Sequence, residues 1–438
     1  MKIASLVIGA CSAMAIATMA QAATKLTIAT VNNGDMIRMQ KLADDFKAKN
    51  PDIDLAWVTM EENQLRQKVT TDIATKGGQY DVLTIGTYEV PIWAKKGWLV
   101  PLDSLGASYD VDDIIPAIRS GLTVDNKLFA APFYGESSMI MYRKDLFEKA
   151  GLKMPDKPSW DFIKDAAAKI TDKPHEVYGM CLRGKAGWGE NMAFLTTMAN
   201  SYSARWFDEK WKPTFNGPEW KQALTTYIDM MKNSGPPGAS SNGFNENLAL
   251  FQSGKCGMWI DATVAASFVS NPKDSKVADK VGYAPAPCAT TCKNGNWLWA
   301  WSLGVPAGSQ KTEAAEKFIA WATSKAYTDL VASKEGWANV PPGTRKSLYA
   351  NPEYIKAAGF AEQTLKAINS ADPSMNGNDR PKPYIGVQFA AIPEFQGIGT
   401  KVGQHFSAAL AGQISVEDAL KNAQSDTERE MIKDGYIK

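Results

Sequence analysis

Carboxylate, amide and tryptophan side chains are the residues of this sequence best suited to do chemistry. Carboxylates and amides hydrogen-bond hydroxyl groups, and flat aromatic rings pack against CH faces, so together they suit a ligand rich in hydroxyls. The sequence holds 14 tryptophans against two histidines. Because tryptophan is costly to expose, this bias predicts large cores and an aromatic cleft.

Common catalytic signatures are absent from the sequence, which contains neither an HExxH nor a GxSxG motif. Glu136 and Asp261 could in principle form the carboxylate pair of a glycosidase, but only their residue type supports that alternative. We therefore expect a protein that is not an enzyme and that carries no cofactor.

Four cysteines lie outside the N-terminal segment. Cys288 and Cys292 lie in the loop-like run PCATTCKNG, where we predict a short disulfide. A metal site is not expected, because this CxxxC would need two further ligands and both histidines are distant in sequence. Cys181 and Cys256 lie in strand-like runs and could pair or remain separate buried thiols.

The chain opens with alternating strand and helix patterns that predict a parallel sheet with right-handed crossovers. Ligands of such sheets gather beyond the carboxyl ends of the strands. Asn33 and Gln64 follow the first two strands, so we expect both to face a cleft. The predicted strands are residues 25–30, 53–60 and 80–85, with helices over 36–46 and 61–74.

A second series of strands and helices begins at residue 177 and reaches a buried strand over residues 255–260. Asp261 ends that strand, and its carboxylate should point at a cleft. An N-cap for the following helix would be an equally good structural reason for Asp261. An extended segment over residues 129–142 joins the two series, which predicts two similar lobes joined by hinge strands.

Residues 1–22 have the pattern of a secretory signal: Lys2, an apolar run and a final AQA, with cleavage expected near Ala22. Lipidation at Cys11 is the alternative. The roughly 416 residues that would remain are too many for one core, which again favours two lobes. A formal charge of +1 without a basic stripe argues against nucleic acid or an anionic membrane as the partner.

Several motifs resemble the bacterial family 1 extracellular solute-binding proteins, the sugar receptors of ABC importers related to maltose-binding protein. The run MYRKDLFEKAG (141–151) carries the resemblance, followed by SWD (159–161), and the run GKCGM (254–258) matches further on. The run SKEGWANVPP (333–342) and the tryptophan-rich 297–301 are similar to the sorbitol/mannitol (polyol) receptors within that family.

The resemblance implies an α/β fold of two lobes, the type II periplasmic binding protein fold, each lobe a mixed, mostly parallel sheet flanked by helices. The N-terminal lobe would hold residues 23–134 with 297–336, and the C-terminal lobe residues 137–290 with 343–438. Three hinge crossings would fall at 134–137, 284–297 and 337–342.

The function implied is capture of a hexitol such as mannitol or sorbitol in the periplasm, by hinged closure, for the membrane permease subunits of an ABC importer. The protein would act as a monomer. A receptor for a mono- or oligosaccharide of the same family is the alternative ligand class, and a secreted glycosidase is the alternative from another class.

The resemblance also places two ligand contacts. Glu136 and Trp188 match positions at which the family's maltose receptor has a ligand-binding glutamate and a sugar-contacting aromatic residue. Tyr134 lies beside Glu136 on the same crossing. The alternative for Glu136 is a buried hinge carboxylate paired with an arginine or lysine.

The remaining candidates lie near the second and third crossings. Alternation would place the three tryptophans of residues 297–301 on one face, and Trp299 is our choice for the cleft. Trp337 and Asn339 lie on the third crossing and are expected to contact ligand. Arg345 could bind a hydroxyl or hold the hinge.

Overall fold

A computed structural model describes residues 23–289, 296–375 and 380–438. The strands are β1 Thr24–Val31, β2 Ile53–Met60, β3 Val82–Gly86, β4 Thr123–Val124, β5 Lys127–Leu128, β6 Ala131–Glu136, β7 Ser138–Arg143, β8 Tyr178–Cys181, β9 Cys256–Ala262, β10 Val281–Pro285 and β11 Trp299–Gly304. The α-helices are α1 Gly34–Lys41, α2 Ala43–Lys49, α3 Glu62–Thr75, α4 Glu89–Lys95, α5 Pro116–Ser120, α6 Lys144–Lys149, α7 Trp160–Ile170, α8 Asn191–Ser201, α9 Pro218–Ser234, α10 Phe244–Gln252, α11 Ala265–Val269, α12 Thr312–Ala322, α13 Lys325–Glu335, α14 Lys346–Tyr349, α15 Pro352–Ala357, α16 Ala361–Ser370, α17 Phe395–Leu410 and α18 Val416–Lys433.

The first sheet has the strand order β2-β1-β3-β11-β6. The strand β1 is parallel to both β2 and β3, as the alternating pattern of the first sixty residues predicts. The strand β11 then runs antiparallel to β3 and β6. Leu26, Ile28 and Val82 are fully buried, so this sheet is part of the hydrophobic core.

The second sheet has the order β10-β7-β9-β8. Only β8 and β9 are parallel in it, while β7 runs antiparallel to both β9 and β10. Both sheets are mixed, as expected, but parallel pairing is less extensive than the predicted "mostly parallel" sheets. Strands that arrive from the other sheet need no crossover helix, and this allows antiparallel pairing.

The chain passes between the two sheets at three places. Ser137 alone separates β6 from β7, and residues 286–298 connect β10 to β11. The third passage follows α13, where the Gly135 amide donates to the Pro342 carbonyl at 2.9 Å. Gly343 has φ +74°, and a Cβ there would lie 1.9 Å from the Gly135 oxygen. These passages fall at or next to the predicted crossings, whose exact bounds stay a prediction.

Cys181 and Cys256 form a disulfide that joins β8 to β9. This decides between the two alternatives that the sequence left open for these cysteines. Cys292 lies outside the described residues, so the Cys288–Cys292 pair stays a prediction.

The predicted secretory signal, residues 1–22, also lies outside the described residues. Within the described ranges, no helix combines the length and the apolar character needed to cross a membrane.

Candidate ligand-binding cavity

A small cavity lies between the two sheets. Loops and helix starts of both lobes line it, together with β6 and β11. The lining residues are Asn33, Glu62, Arg66, Tyr134, Glu136, Arg183, Trp188, Gly189, Ala193, Phe244, Val264, Trp297, Trp299, Trp301 and Gln388.

One wall of the cavity is aromatic. The Trp188 and Trp299 rings pack edge to face with centroids 5.6 Å apart, and Trp299 and Trp301 do so at 5.4 Å. The Arg66 guanidinium carbon lies 4.0 Å from the Trp188 ring centroid and 4.8 Å from each of the other two. Edge-to-face and cation–π contacts fix ring orientation, so this wall is ordered where the two lobes meet.

Arg66 is held in place by two buried carboxylates. Its guanidinium donates to Glu62 Oε1 at 2.8 Å and to Glu89 Oε1 at 2.6 Å. Glu62 begins α3 and stands one helical turn before Arg66, which is the spacing at which helix side chains meet. Burial opposes the positive charge, but the two carboxylates outweigh it and raise the pKa of Arg66.

Arg183 lies in the cavity wall contributed by the second lobe. It donates to both carboxylate oxygens of Asp261, at 2.6 and 2.9 Å, and to the Gly189 carbonyl at 2.8 Å. The Trp259 indole also donates to Asp261, at 3.0 Å. Asp261 is therefore not a lining residue, because its carboxylate lies behind Arg183 and is already paired.

Glu136 is buried and lines the cavity, directly opposite Trp299 in the β6–β11 ladder. No hydrogen-bond partner for its Oε2 atom exists among the described residues, and no ion pair there involves it. Burial raises the pKa of Glu136 well above its usual range, with Asp261 and Glu62 adding to the rise and Arg183 and Arg66 opposing it.

Three indole N–H groups around the cavity are also buried without a partner among the described residues. They belong to Trp188, Trp297 and Trp299. Because buried polar groups are almost always hydrogen-bonded, one carboxyl oxygen and three donors around one cavity indicate a site for a polar ligand.

Five of the predicted ligand contacts line this cavity. They are Asn33, Tyr134, Glu136, Trp188 and Trp299. The Asn33 amide donates to the Tyr134 hydroxyl at 2.9 Å, so the loop after β1 and the strand β6 meet here. These residues come from both lobes, as the carboxyl-end argument and the family resemblance implied.

Gln64 does not line the cavity. It lies on the exposed side of α3, while Glu62 and Arg66 occupy the buried side of the same helix. The first turns of α3 do reach the cavity, as expected for residues that follow a strand. They do so through Glu62 and Arg66, however, and not through Gln64.

The predicted contacts on or next to the third passage do not line the cavity. Asn339 is held by Arg38, which donates to its carbonyl at 2.8 Å, and its own amide donates to the Glu335 carbonyl. Arg345 donates to the carbonyls of Asp110 and Thr323, which is the hinge-holding alternative for this residue. Trp337 lies half-buried in the turn after α13, outside the lining set.

The sequence reasoning missed Glu62, Arg66 and Arg183, and did not choose Trp297 or Trp301. A signal was present for the first two: a glutamate and an arginine four positions apart lie on the same side of α3 as the buried Leu65 and Val69. For the tryptophans, the alternation argument was sound, since all three line the cavity. Arg183 follows a strand with no comparable pattern around it.

Contacts between the lobes close the cavity. Lys185 of the second lobe pairs with Glu61 at 2.6 Å, and the Asn63 amide donates to the Ala186 carbonyl at 3.1 Å. Asn245 donates to the Asn32 side chain at 3.3 Å. These contacts hold the lobes together, and the structure has a closed form.

Two α/β lobes that close on a cavity with unpartnered polar groups define a hinged binding protein of the type II periplasmic fold. Residues 33–329 match the family described as bacterial extracellular solute-binding protein. The chain belongs to this family, whose role is solute binding.

The chain is similar along almost its whole length to a curated relative. It is 55% identical over 429 residues to a mannitol-binding protein of Pseudomonas aeruginosa, an alignment that covers 98% of each chain.

The fold is also similar to those of solved solute-binding proteins. A solute-binding protein of an ABC transporter from Agrobacterium vitis, with bound D-mannitol, is 73% identical, with a TM-score of 0.94 over 95% of this chain and 100% of that one. A solute-binding protein from Agrobacterium radiobacter in complex with ribitol is 27% identical, with a TM-score of 0.81 over 93% and 99%.

Proposed function

We propose that this protein is the periplasmic substrate-binding component of an ABC importer and that it captures a hexitol such as mannitol or sorbitol. The observation that carries the proposal is the set of unpartnered polar atoms on Glu136, Trp188, Trp297 and Trp299 around one closed cavity. The similarity to a mannitol-binding protein and to a structure with bound D-mannitol supports the ligand class.

The chemistry of a hexitol fits these groups. Each carbon carries a hydroxyl that donates and accepts, so Glu136 can take a hydroxyl and the indole N–H groups can donate to others. The faces of the aromatic wall pack against the CH groups of the carbon chain. Asn33 and Tyr134 supply an amide and a hydroxyl from the first lobe.

Capture occurs by hinged closure. Ligand bound between the lobes stabilises the closed form, in which Lys185 reaches Glu61. Membrane permease subunits then recognise the closed protein, which acts as a monomer exported by the signal at residues 1–22. A mono- or oligosaccharide is the second candidate ligand, and catalysis on it is not expected.

A ligand panel tests the proposal. Calorimetry and thermal shift with mannitol, sorbitol, ribitol, glucose and maltose should give binding at micromolar concentration for a hexitol and no product on prolonged incubation. Stabilisation by maltose alone would contradict the hexitol assignment, and release of a new product from a glycoside would contradict the receptor.

Glu136→Ala tests the central contact. Removing the partner of a buried ligand hydroxyl costs about 1–3 kcal/mol, so mannitol affinity should fall by roughly fivefold to more than a hundredfold while the unliganded melting temperature changes little. Ser138→Ala, a buried change on the neighbouring strand outside the cavity wall, is the matched control. Affinity retained within twofold would make Glu136 a hinge residue.

A further inference from the structure

The cavity wall and the layer directly behind it hold more carboxyl groups than cations. Arg66 lies between two carboxylates, Glu62 and Glu89. Arg183 pairs with Asp261 and has Glu190 3.6 Å away. All of these side chains are buried. Each arginine thus has two acidic side chains next to it, and Glu136 is not one of these.

Glu136 adds a fifth carboxyl group to these four and has no cation of its own. The groups that face it are Arg66 and Glu62 from α3, Arg183 and Asp261 from the second lobe, and the neutral Tyr134 hydroxyl from its own strand. The nearby Lys185 is engaged by Glu61 at the rim, 2.6 Å away. The local balance is negative whenever Glu136 is ionised.

This balance has a consequence for the unliganded charge state. Burial and the neighbouring carboxylates raise the pKa of Glu136, which favours its protonated form in the unliganded cavity. A ligand cation next to Oε2 of Glu136 could replace that proton. It would neutralise the carboxylate, and the proton would leave to solvent.

We propose that the same cavity also binds protonated amino-hexitols, in which an ammonium group replaces one hydroxyl and pairs with the Glu136 carboxylate. The inference rests on the proposed function, because the remaining hydroxyls must be held as those of a hexitol are. It reaches beyond that function in assigning the site a cationic class of ligand. Anionic analogues of the same size are disfavoured by the same surplus of carboxylates.

Proton counting tests the proposal directly on the unmodified protein. Calorimetry with 1-amino-1-deoxy-D-mannitol in two buffers of different ionisation enthalpy should show net proton release on binding, as linkage requires when a cation displaces a proton. The association constant should rise with pH around neutrality, since an alkyl ammonium with a pKa near that of lysine, about 10.4, stays charged there.

D-Mannitol and D-mannonate are the comparison ligands. Mannitol should release no proton, and mannonate should bind at least about tenfold more weakly than the amine because its carboxylate meets the acidic surplus. An amine that binds without proton release, or about a hundredfold more weakly than mannitol, would overturn the proposal and leave hexitol capture intact. If the amine binds with proton release and mannitol does not bind, the hexitol proposal falls and this one stands. If neither binds, both fall.

Glu136→Gln locates the proton. Glutamine keeps the size of the side chain but has no proton to release, so amine affinity should fall by about tenfold more than mannitol affinity, and proton release should disappear. Glu190→Gln is the matched control, since Glu190 is equally buried but lies behind Arg183 and outside the cavity wall. It should change both affinities alike and keep the proton release. Loss of release in Glu190→Gln, with release retained in Glu136→Gln, would overturn the assignment to Glu136.

Discussion

At the residue scale, the cavity is organised by two arginines that sit among aromatic rings and carboxylates. Arg66 contacts three indole rings and two glutamates at once, and Arg183 joins Asp261 to the backbone near Trp188. Their charges are compensated within the protein, which leaves the tryptophan edges and Glu136 for a ligand. The arginines therefore position the groups that contact ligand.

Replacing Arg66 tests this positioning role. In Arg66→Leu, two buried carboxylates lose their partner, so the free energy of unfolding should fall by about 3–5 kcal/mol. Trp188, Trp299 and Trp301 also lose their common cation, which should change the intrinsic fluorescence of the unliganded protein. Urea unfolding and emission spectra measure the two effects.

The matched control is Arg119→Leu, which removes an arginine whose pair with Asp112 is exposed. The free energy of unfolding should change by less than about 0.5 kcal/mol. Equal effects of the two substitutions would show that the Arg66 network contributes nothing beyond an exposed ion pair.

Part of this site could be predicted from the sequence. Glu136 and Trp188 were found through family resemblance, and Trp299 through alternation on a strand. Arg66 was missed although it shares the buried side of α3 with Leu65 and Val69. Arg183 was missed because its burial is recognisable only once its buried partners are known. Asp261 was chosen for its place at a strand end, and the structure shows Arg183 between it and the cavity.

At the element scale, the aromatic wall depends on how closely β3 and β11 approach each other. Gly86 pairs with Trp301 in this antiparallel ladder. The Trp299 ring lies across Gly86, where a Cβ would come within 1.9 Å of a ring atom. The glycine is needed there for space, since the indole occupies the volume that any side chain would fill.

Gly86→Ala should therefore displace Trp299. Overpacking of this kind costs about 1–3 kcal/mol, and we expect mannitol affinity to weaken by roughly tenfold as the indole moves in the wall. Gly359→Ala is the control, because a Cβ at Gly359 meets nothing within 4 Å. Calorimetry on both variants decides the matter, and unchanged affinity in Gly86→Ala would mean that Trp299 does not contact the ligand.

The elements themselves were largely readable from periodicity. The predicted strand over residues 53–60 coincides with β2, and the predicted helix over residues 61–74 differs from α3 by one residue at each end. The amount of parallel strand pairing was harder to predict from the sequence. Strand direction in β7, β10 and β11 is set by where the chain crosses between sheets, and local patterns carry no record of that.

At the scale of the whole molecule, ligand affinity and lobe closure are coupled, because the cavity exists only where the lobes meet. A contact made only in the closed form adds to ligand affinity without touching the ligand. Lys185 and Glu61 form such a contact, since Lys185 belongs to the second lobe and Glu61 caps α3 in the first.

Lys185→Met should weaken mannitol binding through closure alone. A partly exposed ion pair contributes about 0.2–1 kcal/mol, so affinity should fall by roughly 1.5- to 5-fold, mainly through faster dissociation. Small-angle scattering should then show a larger fraction of open molecules at a subsaturating ligand concentration. Lys255→Met removes a similar pair, with Glu176 in the same lobe, and should leave both measurements unchanged. If the two variants behave alike, the Lys185–Glu61 pair does not hold the closed form, and closure must depend on contacts to the ligand itself.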